Sequence, residues 1–174
     1  MKDKDIKIIA IVGMSGSGKS IPVNYLTERG IPKVHLGNMI YKEMEKRGIE
    51  RTPDGKNERE FREMIRRTEG KDWVARQAIA ETKDLIAAGQ KRIVLDGVYS
   101  WTEYKAFKHA FPGDLTFVAL VVPKVLRYER VAKRPDRPFD AQAIRERDIT
   151  EIENLEKGGP IAAADYYILN DGSV

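Results

Sequence analysis

The stretch Ile8–Ser20, "IIAIVGMSGSGKS", joins a run of aliphatic residues to a glycine-rich segment that ends in lysine and serine. It matches the phosphate-binding pattern G-x-x-x-x-G-K-[ST], with Gly13, Gly18, Lys19 and Ser20 at the fixed positions. Glycines let backbone amides curl around an oxyanion, and the N-terminus of a following helix adds partial positive charge. The stretch therefore predicts a strand, a phosphate-binding loop and a helix.

The loop predicts a site for ATP and Mg²⁺. In this pattern the lysine reaches the β- and γ-phosphates, and the serine offers its hydroxyl to the metal ion. Lys19 is therefore a predicted catalytic residue, and Ser20 is a predicted metal ligand. The predicted nucleotide contacts in the loop are Gly13, Ser15, Gly16, Ser17, Gly18, Lys19 and Ser20.

A second motif, "RIVLDG", places Asp96 after four strand-like residues. A Mg²⁺-nucleotide site needs a carboxylate at the end of a strand beside the phosphate loop. We therefore predict that Asp96 holds the metal ion through water and contributes to catalysis. The alternative is that Asp96 and Gly97 only form a turn, where both residue types are common.

Length and composition limit the class of protein. A chain of 174 residues with 41% hydrophobic and 33% charged residues fits one globular domain, residues 1–174. It has no cysteine, and two isolated histidines, His35 and His109, make a histidine-based metal cluster improbable. Apolar runs are too short for a membrane span, and no signal peptide is evident, so a cytoplasmic protein is expected. The net charge of +4 suits an anionic substrate, whereas no basic stretch has the aromatic residues of a nucleic-acid track.

Continuous apolar runs predict buried parallel strands, and helical stretches between them predict a three-layer α/β fold. Trp73–Ala88 is the clearest helix, and two long polar segments, residues 41–67 and 125–156, are expected to be helical excursions over the carboxyl edge of the sheet. The three strong and two weaker predicted strands are Ile6–Val12, Arg92–Leu95, Leu115–Val122, Lys33–Leu36 and Tyr166–Leu169.

The second excursion is rich in arginine. Arginines that close over a triphosphate neutralise charge on the transferred group and expel water. We predict a lid here, with Arg134 and Arg137 as catalytic residues, although a solvated helical face is the alternative for any single arginine. The basic residues of the predicted lid are Arg127, Arg130, Lys133, Arg134, Arg137, Arg145 and Arg147.

Two motifs of other phosphate-loop proteins are missing, the guanine-selective N-K-x-D motif and the L-S-G-G-Q transporter signature. Seven segments spread over nearly the whole chain are informative together: "GMSGSGKS", "HLGNMIYKE", "RRTEGKDWVARQ", "LDGVYSWTEYKAFKHAFPGD", "LRYERVAKR", "RERDITE" and "AADYYILNDGS". With these segments the chain resembles a family of P-loop nucleotide kinases that is related to adenylate kinase, described as dephospho-CoA-kinase-like and known as UPF0200.

The resemblance implies a P-loop NTPase fold with a five-stranded parallel sheet flanked by helices. It implies an acceptor-binding region at about residues 38–70 and a lid at about residues 125–148. Arg130 would lie near the adenine, with Asn170 and Gly172 of "NDGS" beside the ring. Arg134, Arg137 and Arg147 would contact phosphates.

Three positions depart from the family's acceptor site. Asn38 stands where relatives usually have Asp, and Tyr41 and Tyr99 stand where they have Arg. The predicted substrate contacts are these three positions together with Arg66 and Arg147. The candidates to replace the missing arginines are Arg66, Arg67 and Lys42.

These departures leave the acceptor open. Fewer arginines weaken the case for a nucleoside monophosphate, while Asn38 cannot serve as the general base that a hydroxyl acceptor needs. We expect a kinase that phosphorylates a small nucleotide-like acceptor, with a nucleoside monophosphate ranked first. The alternatives are dephospho-CoA kinase-like activity on a ribose hydroxyl, a non-kinase ATP-dependent switch or nucleotide-binding protein, or another acceptor that stacks on Tyr41, Tyr99 and Trp101.

Overall fold

The computed structural model describes residues 5–52, 55–134 and 140–172. In the described residues, five strands form one parallel sheet in the order β2-β3-β1-β4-β5. This arrangement confirms the predicted fold class. The strands are β1 (Lys7–Val12), β2 (Lys33–His35), β3 (Arg92–Asp96), β4 (Leu115–Val121) and β5 (Tyr166–Leu169).

The helices lie between the strands, as the alternating pattern predicts. Trp73–Ala88 is a helix that ends one residue early, at Ala87, and the first polar excursion is already helical from Leu36, earlier than expected. The helices are α1 (Ser20–Glu28), α2 (Leu36–Lys46), α3 (Lys56–Thr68), α4 (Trp73–Ala87), α5 (Trp101–Ala110), α6 (Lys124–Ala132), α7 (Ala141–Glu153) and α8 (Gly158–Ala162).

The central strand β1 is covered on both faces, which explains its uninterrupted apolar sequence. Ile8, Ala10 and Val12 belong to the larger core, which packs against α2, α3, α4 and α5. The alternate residues Ile9 and Ile11 belong to the smaller core beneath α1. Because successive side chains of a strand point to opposite faces, a strand buried on both sides has no polar position to alternate.

The sheet brings the ends of β1 and β3 together. Ile11 pairs with Asp96 in the parallel register, so the carboxylate lies beside the residues that lead into the phosphate loop. Helix α5 begins nearby at a capping box in which Ser100 and Glu103 exchange side-chain and backbone hydrogen bonds. No helix in the described part of the chain combines the length and apolar character needed to cross a bilayer.

Candidate active site

The phosphate loop connects β1 to α1 in a conformation that requires glycine. Gly16 and Gly18 have φ values of 85° and 84°, which side chains rarely adopt. A Cβ at Gly16 would lie 2.8 Å from the Arg127 carbonyl oxygen, and one at Gly18 would lie 2.7 Å from Asn170 Nδ2. The two glycines therefore provide both the turn and the room for neighbouring segments to pack on it.

Lys19 folds back over the loop. Its Nζ donates to the carbonyl oxygens of Gly13 at 2.7 Å and Met14 at 3.1 Å. Burial is the largest cause that lowers the pKa of Lys19, to about 7, and the positive charge of Lys157 is the next. The negative charge of a bound triphosphate would stabilise the positive charge of this ammonium group, so binding would favour the protonated form of Lys19.

Asp96, at the end of β3, contacts His35, at the end of β2. Imidazole Nδ1 donates to Asp96 Oδ2 at 2.9 Å, a contact that the sequence analysis missed because the two residues are 61 positions apart. Burial alone would raise the pKa of Asp96, but the bond from His35 and the charges of Lys33 and Lys19 hold it below its ordinary value. Asp96 is therefore an ionised carboxylate at the edge of the phosphate loop.

The donor set suits a magnesium ion carried by a triphosphate. Mg²⁺ in nucleotide sites is held by one or two protein oxygens together with phosphates and water. The exposed Ser20 begins α1, and the ionised Asp96 stands on the neighbouring strand. Among the described residues, no cluster of three or more His, Cys, Asp or Glu could hold a metal ion by itself.

The segment after β5 packs on the phosphate loop. Asn170 Nδ2 donates to the Ser17 carbonyl oxygen at 2.9 Å. Arg130 of α6 donates to the carbonyl oxygens of Asn170 and Gly172, each at 2.9 Å. Arg130 thus fixes the loop predicted to pass beside the adenine, and it brings the three predicted residues together next to the phosphate loop.

Arg127 also supports the phosphate loop, although the sequence analysis treated it only as part of a basic face. It is 8% exposed, and its guanidinium donates to the Ser15 carbonyl oxygen at 2.9 Å. The same group forms a two-pronged ion pair with Asp148 of α7, at 3.0 and 2.6 Å. The spacing of Arg127 and Arg130 on α6 did not indicate that Arg127 would be buried, because its partner Asp148 belongs to another helix.

Besides the phosphate loop, the structure has a narrow pocket beside the carboxyl end of β3, with a cavity of ≈ 20 Å³. It has room for about one water molecule, so a larger ligand enters only if the walls move apart. Two arginines of α3, one helical turn apart, line it together with Tyr99. The lining residues are Leu36, Gly37, Ile40, Arg62, Arg66, Val74, Gly97, Tyr99, Ser100, Glu103 and Leu155.

The predicted substrate contacts divide between this pocket and other places. Arg66 and Tyr99 line it, and burial raises the pKa of the Tyr99 hydroxyl to about 12. Asn38 is exposed in the first turn of α2 and is not a lining residue, and Tyr41 packs against the core with Arg51 4.2 Å from its ring centroid.

The suggested replacements and the third aromatic residue also lie elsewhere. Lys42 pairs with Glu81 at 2.8 Å, and Arg67 is exposed on α3, so Arg62 is the second arginine of the pocket. The sequence analysis missed Arg62. Trp101 stacks on Tyr104 with ring centroids 4.8 Å apart, and it does not line the pocket.

The predicted lid arginines occupy different environments. Arg134 is exposed just after α6, and its positive charge contributes to lowering the pKa of Lys19. Arg147 lies on α7, where its Nε donates to Glu151 Oε1 at 3.1 Å. The predicted catalytic residue Arg137 lies outside the described residues.

Comparison with known sequences identifies the family. A family model described as an AAA domain matches residues 9–154. A UPF0200 protein of Thermococcus onnurineus is 37% identical over 167 residues, which cover 94% of this chain and 88% of that protein. The chain belongs to the UPF0200 family. Another UPF0200 protein, from Methanosarcina barkeri, is 33% identical, with 97% of this chain and 89% of that protein covered.

Solved structures similar to this UPF0200 protein share its fold at low identity. The crystal structure of TT1252 from Thermus thermophilus has a TM-score of 0.64 at 18% identity and covers 97% of this chain and 90% of its own. Shikimate kinase from Acinetobacter baumannii, in complex with shikimate, has a TM-score of 0.54 at 17% identity and covers 97% and 86%. The UPF0200 chain therefore has a P-loop kinase-like fold.

Proposed function

We propose that this protein is an ATP-dependent phosphotransferase that moves the γ-phosphoryl group of Mg·ATP to a small, anionic, nucleotide-like acceptor. The observation that carries the proposal is the placement of two sites at one end of the sheet. The phosphate loop and Asp96 lie on neighbouring strands β1 and β3. The segment directly after Asp96 lines the pocket that contains Arg62 and Arg66.

Each residue has a distinct role in the proposed reaction. Lys19 binds the β- and γ-phosphates and stabilises negative charge on the transferred group, together with lid arginines. Ser20 and Asp96 would hold the magnesium ion, which would neutralise and orient the phosphates. Asn170 and Arg130 fix the loop beside the nucleotide base.

The pocket supports an acceptor that carries a phosphate or a similar anion. Arg62 and Arg66 are one turn apart on α3, so both guanidinium groups can bind one anionic group. Arg62 and Arg66 supply positive charge in place of the arginines that relatives have at the positions of Tyr41 and Tyr99. A phosphate acceptor is already largely ionised at neutral pH and needs no general base, so Asn38 is compatible with it. A nucleoside monophosphate therefore remains first among the acceptors.

A product analysis tests the proposal. The protein is incubated with Mg·ATP and, separately, with each nucleoside monophosphate, with dephospho-CoA and with no acceptor. ADP, free phosphate and phosphorylated acceptor are quantified by chromatography and mass spectrometry. We expect ADP and phosphorylated monophosphate in equal amounts. Phosphorylated dephospho-CoA would favour the hydroxyl-acceptor alternative, and ADP with free phosphate under every condition would favour a nucleotide-dependent switch and contradict the kinase.

A further inference from the structure

A buried ion pair lies next to Tyr99 of the pocket lined by Arg62 and Arg66, which we call the acceptor pocket, and none of the roles described above uses it. Lys157 precedes α8 and is 4% exposed, and Glu151 of α7 is 6% exposed. Lys157 Nζ donates to Glu151 Oε2 at 2.7 Å. Lysine and glutamate are rarely buried so completely, and the loss of hydration offsets much of their attraction. The burial of this pair is therefore weak evidence that it serves only to stabilise the fold.

Lys157 contacts one of the residues that line the acceptor pocket. Its Nζ lies 4.6 Å from the centroid of the Tyr99 ring, and Tyr99 lines the pocket. Leu155, two residues earlier in the chain, lines the same pocket. The backbone N–H of Lys157 donates to the Glu151 carbonyl oxygen at 3.0 Å, which fixes the segment that carries the lysine.

Lys157 is also near the carboxyl end of β3, which borders the phosphate loop. A Cβ at Gly97 would lie 3.5 Å from the hydroxyl of Tyr99, the residue that Lys157 contacts, and Gly97 directly follows Asp96. Asp96 pairs with Ile11 of β1, two residues before the phosphate loop begins.

Helix α7 holds both sides of this arrangement. Asp148 and Glu151 are three residues apart and share one face of the helix. Asp148 binds Arg127, which contacts the Ser15 carbonyl oxygen of the phosphate loop. Glu151 binds Lys157, which contacts Tyr99 of the acceptor pocket. One helix face thus holds a cation that contacts the phosphate loop and a cation that contacts a residue of the pocket.

We propose that Lys157 contacts the γ-phosphoryl group of ATP at the junction of the phosphate loop and the acceptor pocket, and that Glu151 positions it there. An ammonium group has three donors, and within the described residues Glu151 is the hydrogen-bond acceptor of Lys157. The remaining donors serve the transferred group. This inference rests on the proposed kinase function and assigns it one further residue.

The test compares two nucleotides that differ in the γ-phosphate. Calorimetry gives the dissociation constants of Mg·ADP and of a non-hydrolysable Mg·ATP analogue. The main variant is the double substitution Glu151→Gln and Lys157→Met, which removes both charges and leaves no buried ion unpaired. Lys157→Gln, whose amide can still donate to Glu151, provides a second form of the test, and Lys83→Met on the exposed face of α4 is the matched control.

We expect the double variant and Lys157→Gln to bind the ATP analogue about tenfold more weakly, because a charge-assisted hydrogen bond to the γ-phosphate is lost. Their affinity for ADP stays unchanged or rises, and the control binds both nucleotides as the wild type does. An unchanged ratio of the two dissociation constants in a folded variant would overturn the role of Lys157 alone. Failure of the wild type to bind either nucleotide would overturn the proposed function and the inference with it.

Discussion

The phosphate loop and the acceptor pocket lie at the same end of the sheet, but they are built in different ways. The loop is one continuous segment whose glycines, lysine and serine form a recognisable pattern. The pocket is assembled from α2, α3, α4, the segment between β3 and α5, the start of α5, and the segment between α7 and α8. A contiguous site can be identified from local sequence, whereas a distributed site becomes visible only when the fold brings its pieces together.

The largest expected effect is the loss of phosphoryl transfer when Lys19 of the phosphate loop is replaced. Replacing Lys19 with Ala removes the cation proposed to bind the β- and γ-phosphates, and we expect phosphoryl transfer to fall by about 10²- to 10³-fold. The rate is measured from the formation of phosphorylated acceptor. Lys83→Ala, an exposed substitution on α4, should have no effect. Full activity of Lys19→Ala would show that the glycine-rich loop does not bind the reacting phosphates.

The next effect concerns the buried support of the phosphate loop. Replacing Arg127 with Met leaves Asp148 buried without its partner, and we expect the free energy of unfolding to fall by about 3 kcal/mol. Urea denaturation followed by circular dichroism measures this change. Adding Asp148→Asn should restore most of the lost stability, because no unpaired charge then remains. Equal stability of wild type and Arg127→Met would contradict the structural role of this ion pair.

On the acceptor side, the predicted effect is on substrate binding. We expect Arg62→Gln and Arg66→Gln each to raise the acceptor KM about tenfold, because each removes a charge-assisted hydrogen bond to the anionic group. The KM for ATP should not change. Arg67→Gln is a matched control on the exposed side of the same helix. Parallel increases in both KM values would mean that the two sites are not separate.

The smallest expected effect is a pH dependence of nucleotide binding. Unliganded Lys19 has a pKa of about 7, and a bound triphosphate raises that pKa. Binding should therefore take up a proton above about pH 7, and affinity should decrease as the pH rises, with no contribution from Lys19 at lower pH. Calorimetry at about pH 8 in two buffers of different ionisation enthalpy measures the uptake, expected to be up to about one proton.

The corresponding experiment on Lys19→Gln serves as the control for this prediction. That variant lacks the titrating group, so its binding enthalpy should lose the dependence on buffer. An equal proton uptake in both proteins would assign the titration to another residue.

The sequence predicted the elements of the fold because buried parallel strands have a strong apolar signal. The strand Tyr166–Leu169 has the predicted bounds even though its residues are 50–65% exposed. Asp96 could be identified because the phosphate loop implies a carboxylate on a neighbouring strand. These features are local, or depend on a single pairing of strands.

The sequence could not predict contacts between distant segments. The sequence did not distinguish Arg62 because α3 is rich in charged residues. Only packing decides that Arg62 and Arg66 line the pocket while Arg67 is exposed. Arg127 and Lys157 are buried through Asp148 and Glu151 of α7, and no local pattern marks those pairings. His35 was considered only as part of a metal cluster, and its sequence position gave no sign of its contact with the carboxylate of Asp96.

Calorimetric titration with a non-hydrolysable Mg·ATP analogue tests the central claim most directly, that two separate sites share one end of the sheet. We expect one nucleotide per wild-type chain, equal affinity in the double variant Arg62→Gln and Arg66→Gln, and markedly weaker binding to Lys19→Ala. Absence of binding to the wild type, or loss of binding in the arginine variant with the loop intact, would contradict the account.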